Sequence, residues 1–257
     1  MNSRKCALLV GVALIAAFPA AAQNYPVRPV RMIVPFAAGG NTDITARAIG
    51  TRLSEVFGQQ VVVENRPGGA TNIGSELVAK APPDGYTILM GGATNAINMS
   101  TQAKPPYDTL RDFAPVILCV KGANVLTTHP SVPAKNLKEL IALAKARPGQ
   151  LNFASSGLGS SNQMAGELFK MMANINIVHV PYKGNAPAMT DTMAGHVEMM
   201  FSGVPAIVPH MQSGRLRAIA IGSLKRFTAI PEVPTFDESG VKGYEATTWF
   251  GLMAPVK

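Results

Sequence analysis

The amino-acid sequence predicts an α/β protein of two lobes, each a mostly parallel sheet flanked by helices. Short β-branched runs alternate with segments of helical spacing in the first hundred residues, and the alternation resumes near residue 150. An irregular stretch at residues 105–128 separates the two series and contains two short apolar runs, 116–120 and 124–128. Glycine- and serine-rich turns follow most of the predicted strands, as is typical of strand-to-helix junctions.

The first lobe is predicted from strands at residues 30–34, 61–64 and 86–90. Pro35 ends the first strand, and Gly39 and Gly40 allow the tight turn that follows it. The next helix is expected to be capped by Asn41 or Thr42 and to carry an acid, residue 43, in its first turn.

The second lobe is predicted from a helix at 137–146 and strands at 151–154, 177–180, 197–201 and 216–221. Its turn at residues 155–162 is the richest in glycine and serine. Two lobes of this kind place their turn-rich edges where open α/β sheets bind ligands, and a cleft between domains is a preferred site.

A strand, a glycine turn and a helix start leave several backbone N–H groups directed at one place, which favours an anion such as a carboxylate or phosphate. The alternative is that these turns are structural only, because many α/β domains contain such turns that bind nothing. Recurrence of the pattern in both halves of the chain favours binding.

The first 22 residues have the three-part pattern of a secretory signal peptide. Arg4 and Lys5 precede an apolar core, and Ala20–Ala22 offer a small-residue cleavage site. Cleavage near Ala22 would lower the formal net charge from +8 to +6 and leave Cys119 as the single cysteine. A periplasmic location and a fold without disulfides are therefore expected. The basic residues are scattered, which is not the pattern of a nucleic-acid-binding protein.

Motifs for catalysis, cofactors and metals are missing from the sequence. It contains no Gly-x-Ser-x-Gly, His-Glu-x-x-His or phosphate-binding Gly-x-x-x-x-Gly-Lys pattern. His179 lies in an apolar strand, where a hydrogen-bonded core histidine is the simpler interpretation, and Cys119 is expected to be a small buried hydrophobe. We therefore expect no enzyme activity, no cofactor and no metal.

Seven short motifs, in order along the chain, together resemble one family, the substrate-binding receptors of the tripartite tricarboxylate transporters, also called Bug receptors. The motifs are Val-Pro-Phe ending at Phe36, Glu-Asn-Arg-Pro-Gly ending at Gly68, Pro-Asp-Gly-Tyr-Thr ending at Thr87, Asp-Phe-Ala-Pro-Val ending at Val116, Phe-Ala-Ser-Ser-Gly ending at Gly157, Val-Pro-Tyr-Lys-Gly ending at Gly184 and Trp-Phe-Gly-Leu ending at Leu252.

The resemblance implies a periplasmic-binding-protein (Venus flytrap) fold that closes around a small organic carboxylate and delivers it to an integral-membrane permease. It implies a monomer, with residues 23–124 and 246–257 in lobe 1 and 125–245 in lobe 2. The ligand-binding residues that it implies are Phe36, Gly39, Gly40, Asn41, Thr42, Asp43, Thr94, Asn95, Ser156, Gly157, Ser160, Lys183 and Ser202.

Some roles remain open at this point. Asp43 either binds a ligand group or only stabilises the helix start, Arg66 either faces the ligand or pairs structurally, and Asp191 is expected to anchor the Tyr182 turn. An exported enzyme of similar architecture and a receptor that serves a sensor are the alternative functions.

Two departures from the family pattern stand out. The sequence has Ser202-Gly203-Val204-Pro205 where family members often have Asp-Asn-Leu-Pro. The family also usually continues past Pro255 with helices that return to lobe 1, so that part of lobe 1 is expected to be missing from the 257 residues. Uncovered apolar surface, with low stability or aggregation, is then expected.

Overall fold

The computed structural model describes residues 25–256, and the signal peptide predicted at 1–22 lies outside them. Two lobes are built on sheets that share one strand. The strands are β1 (Val30–Val34), β2 (Val61–Asn65), β3 (Thr87–Gly92), β4 (Phe113–Thr128), β5 (Asn152–Ser155), β6 (Val178–Pro181), β7 (Met199–Gly203), β8 (Arg217–Ile221) and β9 (Thr247–Pro255). The helices are α1 (Asn41–Phe57), α2 (Asn72–Ala79), α3 (Ala93–Thr101), α4 (Leu137–Ala146), α5 (Ser161–Ala173), α6 (Asn185–Met193) and α7 (Val204–Gln212).

The sheet of lobe 1 has the order β2-β1-β3-β9-β4, and the sheet of lobe 2 has the order β8-β4-β7-β5-β6. Strands β1, β2 and β3 are parallel, as are β5, β6 and β7, whereas β9 and β8 run antiparallel to their neighbours. The α/β fold with a mostly parallel sheet in each lobe is confirmed. The carboxyl ends of the parallel strands, where such sheets bind ligands, lead into α1, α3, α5, α6 and α7.

Strand β4 corrects one expectation, because the two apolar runs at 116–120 and 124–128 form a single strand of 16 residues. Its first part pairs with β9 as far as Ala123, and from Asn124 it pairs with β7. Lys121 and Gly122, which separate the two runs in the sequence, lie within this strand, where they pair with Trp249 and Thr248 of β9.

The core of lobe 2 is an aromatic cluster under α5. Phe153, Phe169, Phe201, Phe236 and Tyr244 are all buried, and the rings of Phe236 and Tyr244 stack with centroids 3.9 Å apart. Lobe 1 has an aliphatic cluster with Met32, Val34 and Met90 beside α1, and a second cluster that includes the buried rings of Tyr107 and Phe113.

Two helices at the ligand edge were not predicted from the sequence. Helix α3 begins directly after Gly92 with no intervening loop, and α7 begins directly after Gly203. Residues 93–95 were interpreted as part of a small polar turn, and residues 204–212 were assigned to no helix or strand. Short helices with glycine and proline at their starts have little helical periodicity to detect.

One apolar row on lobe 1 is open to solvent. Val116, Ile117, Leu118 and Val120 of β4 are 59%, 59%, 50% and 39% exposed. They lie on the half of β4 that pairs with β9, and this half is an edge strand of the lobe 1 sheet.

Among residues 25–256, no helix is both long and apolar enough to cross a membrane.

Candidate ligand-binding cleft

Four helix N-termini converge on one cleft between the lobes. The cleft is narrow and holds a cavity of about 30 Å³. Helices α1 and α3 of lobe 1 and α5 and α6 of lobe 2 each contribute their first residue to its wall. The lining residues are Phe36, Gly40, Asn41, Thr42, Gly92, Ala93, Thr94, Asn124, Ser156, Ser161, Asn162, Asn185, Thr248 and Phe250. Because leading N–H groups of a helix have no partner inside the helix, this convergence concentrates hydrogen-bond donors and positive dipole ends.

On lobe 1, the chain leaves β1 and turns at Gly39, whose φ of 79° is one that glycine adopts without strain. The first helical bond of α1 runs from the Ile44 N–H to the Gly40 carbonyl at 2.9 Å. The N–H groups of residues 41–43 therefore precede the helical pattern. The expected side-chain cap is wrong, since the N-cap is Gly40 and no side chain caps this helix.

Asp43 is buried beside the cleft but not in its wall. Its carboxylate accepts hydrogen bonds from Gly39 N at 2.9 Å, Arg47 Nε at 3.0 Å and Asn65 Nδ2 at 3.0 Å. Burial by itself raises the pKa of Asp43, but these hydrogen bonds and the charge of Arg47 outweigh it and hold the pKa below its usual value. The arrangement fixes the turn before α1 and favours the structural interpretation of this acid.

On lobe 2, Ser156 is held by a network that reaches the shared strand. Its Oγ donates to Asn162 Oδ1 at 2.6 Å, and Asn162 Nδ2 donates to Asn124 Oδ1 at 3.0 Å and to the Phe201 carbonyl at 2.8 Å. Ser160 caps α5, because its Oγ accepts from Gln163 N at 3.2 Å and donates to the Gly157 carbonyl at 2.7 Å. The turn that the sequence singled out is thus a rigid one.

Among the residues that the structure describes, the cleft wall carries no charged side chain and combines apolar surface with small polar groups. Phe36 and Phe250 supply aromatic surface, and the other side chains are small hydroxyls, amides and alanine. The Oδ1 atom of Asn185 is buried and has no hydrogen-bond partner within residues 25–256. A donor on a ligand or a bound water would satisfy this oxygen.

The structure brings Phe36, Gly40, Asn41, Thr42, Thr94 and Ser156 together in the cleft. The other predicted residues lie around it. Asn95 is buried inside lobe 1, where it accepts from Gly92 N at 3.0 Å and donates to Ser75 Oγ at 3.0 Å. Gly39, Asp43 and Ser160 shape the turns before α1 and α5, as described above.

Gly157 and Lys183 line a second cavity, of about 240 Å³, which shares Phe36 and Ser156 with the cleft. Next to Lys183, Tyr182 donates to Asp191 Oδ2 at 2.7 Å, the anchoring expected for Asp191. Burial and this carboxylate raise the pKa of Tyr182 to about 12. Ser202 is fully buried behind the cleft wall and accepts hydrogen bonds from two asparagines.

Sequence reasoning did not assign eight residues of the wall to the site: Gly92, Ala93, Asn124, Ser161, Asn162, Asn185, Thr248 and Phe250. A signal existed for Asn185, because Gly184-Asn185 repeats the Gly40-Asn41 pair at another helix start. Asn124 and Thr248 belong to the strands that connect the lobes, which local pattern could not place.

Within residues 25–256 no group of three or more acidic, histidine or cysteine side chains is arranged to hold a metal ion. His179 is hydrogen-bonded to Ser155 Oγ through Nε2 at 2.6 Å and stacks on Phe153, and its burial lowers its pKa. It is therefore a hydrogen-bonded histidine, as expected, but a half-buried one and not part of the buried core.

Comparison with known proteins decides the family. The sequence model of the tripartite tricarboxylate transporter family receptor matches residues 45–257. The chain belongs to this family. Protein BugT of Bordetella pertussis is 40% identical over 260 residues, which cover 99% of this chain and 80% of BugT.

Two solved structures resemble this family receptor closely. One is Rpa4515 of R. palustris with adipate, at 40% identity and a TM-score of 0.88, covering 90% of this chain and 78% of that one. The other is MatC (Rpa3494) from Rhodopseudomonas palustris with bound malate, at 32% identity and a TM-score of 0.85, covering 90% and 79%. These likenesses confirm the two-lobed periplasmic-binding-protein fold.

Proposed function

We propose that this receptor captures a small organic carboxylate between its lobes in the periplasm and delivers it to the membrane permease of a tripartite tricarboxylate-type transporter. It acts as a monomer and does not alter its ligand. The observation that carries the proposal is the convergence of four helix N-termini, two from each lobe, on one uncharged cleft. Neutral donors can hold a carboxylate without a buried cation that itself needs a partner.

The proposed grip uses the leading backbone N–H groups of α1 and α3 on lobe 1 and of α5 and α6 on lobe 2. Thr42, Thr94, Ser156 and Ser161 add hydroxyl groups, and Phe36 and Phe250 enclose the carbon chain. The orphan oxygen of Asn185 favours a ligand that also carries a hydroxyl or ammonium donor, or one that binds with a water. The two related structures with adipate and malate support a dicarboxylate as the first class to test.

The proposed moving units are residues 23–124 with 246–257, and residues 125–245. Strand β4 changes its pairing partner from β9 to β7 between Ala123 and Asn124, and this change supports a hinge at that point of the strand. Closure by rotation about such a hinge is the usual motion of two-lobed binding proteins.

A thermal-shift screen against a panel of carboxylates tests the proposal. A ligand at 100 times its dissociation constant adds about 2.7 kcal/mol to the free energy of unfolding. At about 2–4 °C per kcal/mol for a protein of this size, the melting temperature should rise by roughly 5–11 °C. Recovery of the carboxylate unchanged after incubation tests the absence of catalysis.

Thr42→Leu and Ser156→Leu should abolish this shift, because each places a branched side chain in the cleft wall. Thr51→Leu is the matched control, since Thr51 lies exposed on α1 away from the cleft. No shift with any carboxylate, or an equal shift in both cleft variants, would contradict the proposal.

A further inference from the structure

Asn41 makes side-chain contacts that binding of a carboxylate does not require. It is the first residue of α1 in lobe 1, but its carboxamide reaches the start of α7 in lobe 2. Asn41 Oδ1 accepts a hydrogen bond from Ala206 N at 3.3 Å, and Nδ2 donates to Ser202 Oγ at 3.3 Å. One side chain therefore joins the two lobes through two hydrogen bonds.

Helix α7 has no cap of its own. Its N-cap is Gly203, which has no side chain, and Pro205 at its second position has no N–H. Ala206, the third residue, is the one whose N–H a capping side chain usually satisfies. Asn41 Oδ1 accepts this hydrogen bond, so a residue of lobe 1 caps a helix of lobe 2.

Gly203 provides the space for this contact. Its φ of −75° and ψ of 153° are open to any residue, so the backbone does not require glycine. A Cβ at this position would lie 2.9 Å from each of Cγ, Oδ1 and Nδ2 of Asn41. Glycine is therefore required at position 203 because the carboxamide of Asn41 occupies the space that a Cβ would take.

Ser202 connects the contact to the other side of the cleft. This fully buried hydroxyl also accepts a hydrogen bond from Asn185 Nδ2 at 2.8 Å. Asn185 is the first residue of α6 and lies in the cleft wall. The starts of α1, α6 and α7 are thus joined through Asn41 and Ser202.

We propose that Asn41 is a positioning residue, a latch that holds the two lobes closed by capping α7 across the cleft. The inference rests on the proposed function, because closure has a role only if a ligand is retained. The backbone N–H of Asn41 is among the donors proposed to hold the carboxylate, so an occupied cleft fixes the residue whose side chain makes the latch. Loss of the latch should therefore speed ligand release more than it slows capture.

Hydrogen exchange at the Ala206 amide, followed by NMR on the ligand-free chain, reads the latch directly. This N–H precedes the helical bonding pattern of α7, so Asn41 is its partner across the lobes. Asn41→Ala should raise its exchange rate roughly three- to tenfold, the range for loss of one ordinary hydrogen bond. Asn41→Asp keeps an acceptor oxygen and should preserve the protection.

Gly203→Ala provides a second test from the opposite lobe, because the added methyl displaces the carboxamide without changing Asn41. The double variant Asn41→Ala with Gly203→Ala should exchange no faster than either single variant, since all remove the same contact. Asn176→Ala is the control, because Asn176 is exposed on lobe 2 and lies outside the cleft.

Adipate and malate serve as probes of the functional consequence. Their release is followed by the fluorescence of Trp249, the single tryptophan of the chain, which lies in β9 where it pairs with Lys121. Asn41→Ala and Gly203→Ala should release a bound probe roughly three- to tenfold faster, with a smaller change in the capture rate.

The outcomes separate the two proposals. Unchanged exchange at Ala206 in both Asn41→Ala and Gly203→Ala would overturn the latch, whatever the carboxylate screen shows. Faster exchange in these variants without binding of any carboxylate would support the latch and defeat the proposed function. Faster exchange with an unchanged release rate would overturn the coupling of the latch to ligand retention.

Discussion

Glu64 is an acid whose ion pairs make the stability of the fold depend on pH. Arg31 forms a two-point ion pair with it, from Nε to Oε1 at 2.7 Å and from NH2 to Oε2 at 3.1 Å, and Arg66 NH2 lies 3.0 Å from Oε2. The hydrogen bonds from Arg31 are the largest cause that lowers the pKa of Glu64 to about 2, and Arg66 adds to them against the effect of burial.

We predict that Glu64→Gln lowers the free energy of unfolding at neutral pH. The pKa is lower in the folded than in the unfolded chain, so the carboxylate stabilises the fold above the ordinary value near 4.5. That contribution is lost as the pH falls from about 4.5 to about 2. Because Arg31 is 44% exposed, solvent screening limits the effect to roughly 1 kcal/mol or less.

Urea unfolding at a series of pH values measures this difference. Wild type and Glu64→Gln should differ at pH 7 and converge toward pH 2. A difference that stays constant from pH 7 to pH 2 would contradict the assignment.

Arg31, Glu64 and Arg66 also show how far side-chain contacts can be predicted from the sequence. Of the two roles weighed for Arg66, the structure favours pairing within the protein over contact with a ligand. Sequence reasoning did not identify Glu64 as the partner. Arg31 and Glu64 are 33 residues apart and meet because β1 and β2 pair in parallel, with Ile33 opposite Glu64. Side-chain partners depend on strand register, which composition does not specify.

At the scale of elements, α5 lies against β5 through Gly166. A Cβ at Gly166 would lie 2.2 Å from Cε2 of Phe153, which is itself fully buried and packs on Phe201 and His179. The helix thus approaches the sheet at a distance that only glycine allows.

We predict that Gly166→Ala destabilises the protein in spite of its better helix propensity. Alanine gains about 1 kcal/mol of propensity over glycine inside a helix. Overpacking a filled core costs typically about 1–3 kcal/mol, and here the displaced group is a ring held on two sides. Thermal melting should show a lower midpoint than wild type. Gly166→Ala together with Phe153→Leu should recover part of the loss, and a raised midpoint for Gly166→Ala alone would contradict the packing argument.

Long or strongly patterned elements were predicted well. Helix α4 was placed at its observed limits, where Asn136 caps it by accepting from Glu139 N at 2.9 Å. Strands β5 to β8 were placed within one or two residues. Helices α3 and α7 were missed because each begins at a glycine that ends a strand, and no loop marks the change of structure.

At the scale of the whole molecule, the exposed row on β4 has a physical cost. Val116, Ile117, Leu118 and Val120 expose apolar side chains on an edge strand of the lobe 1 sheet, and exposed apolar edges associate with other chains. We predict that the chain is monomeric at low concentration and self-associates as its concentration rises.

Sedimentation velocity over a concentration series measures this association. Replacing Ile117 and Leu118 by threonine should reduce it, because threonine keeps the β propensity and removes apolar area. Leu110→Thr is the control, since Leu110 is 90% exposed but lies outside this row. A wild-type chain that stays monomeric at all concentrations would refute the prediction.

The two lobes that the sequence indicated are confirmed by the structure, whereas the binding edge stays a prediction. Six of the thirteen residues predicted for the site lie in the cleft wall, and the other seven support or adjoin it. The contact of Asn41 with α7 could not be predicted, because it depends on how the lobes meet and not on any local pattern.

Strand β4 has a consequence for how such a protein can be divided. It contributes to both sheets, and β9, which lies between β3 and β4, comes from the far end of the chain. No single break in the gene yields two self-sufficient halves, since a fragment ending near residue 123 lacks β9 and the remainder lacks the start of β4. Exchange of one lobe between related receptors would therefore need two coordinated junctions.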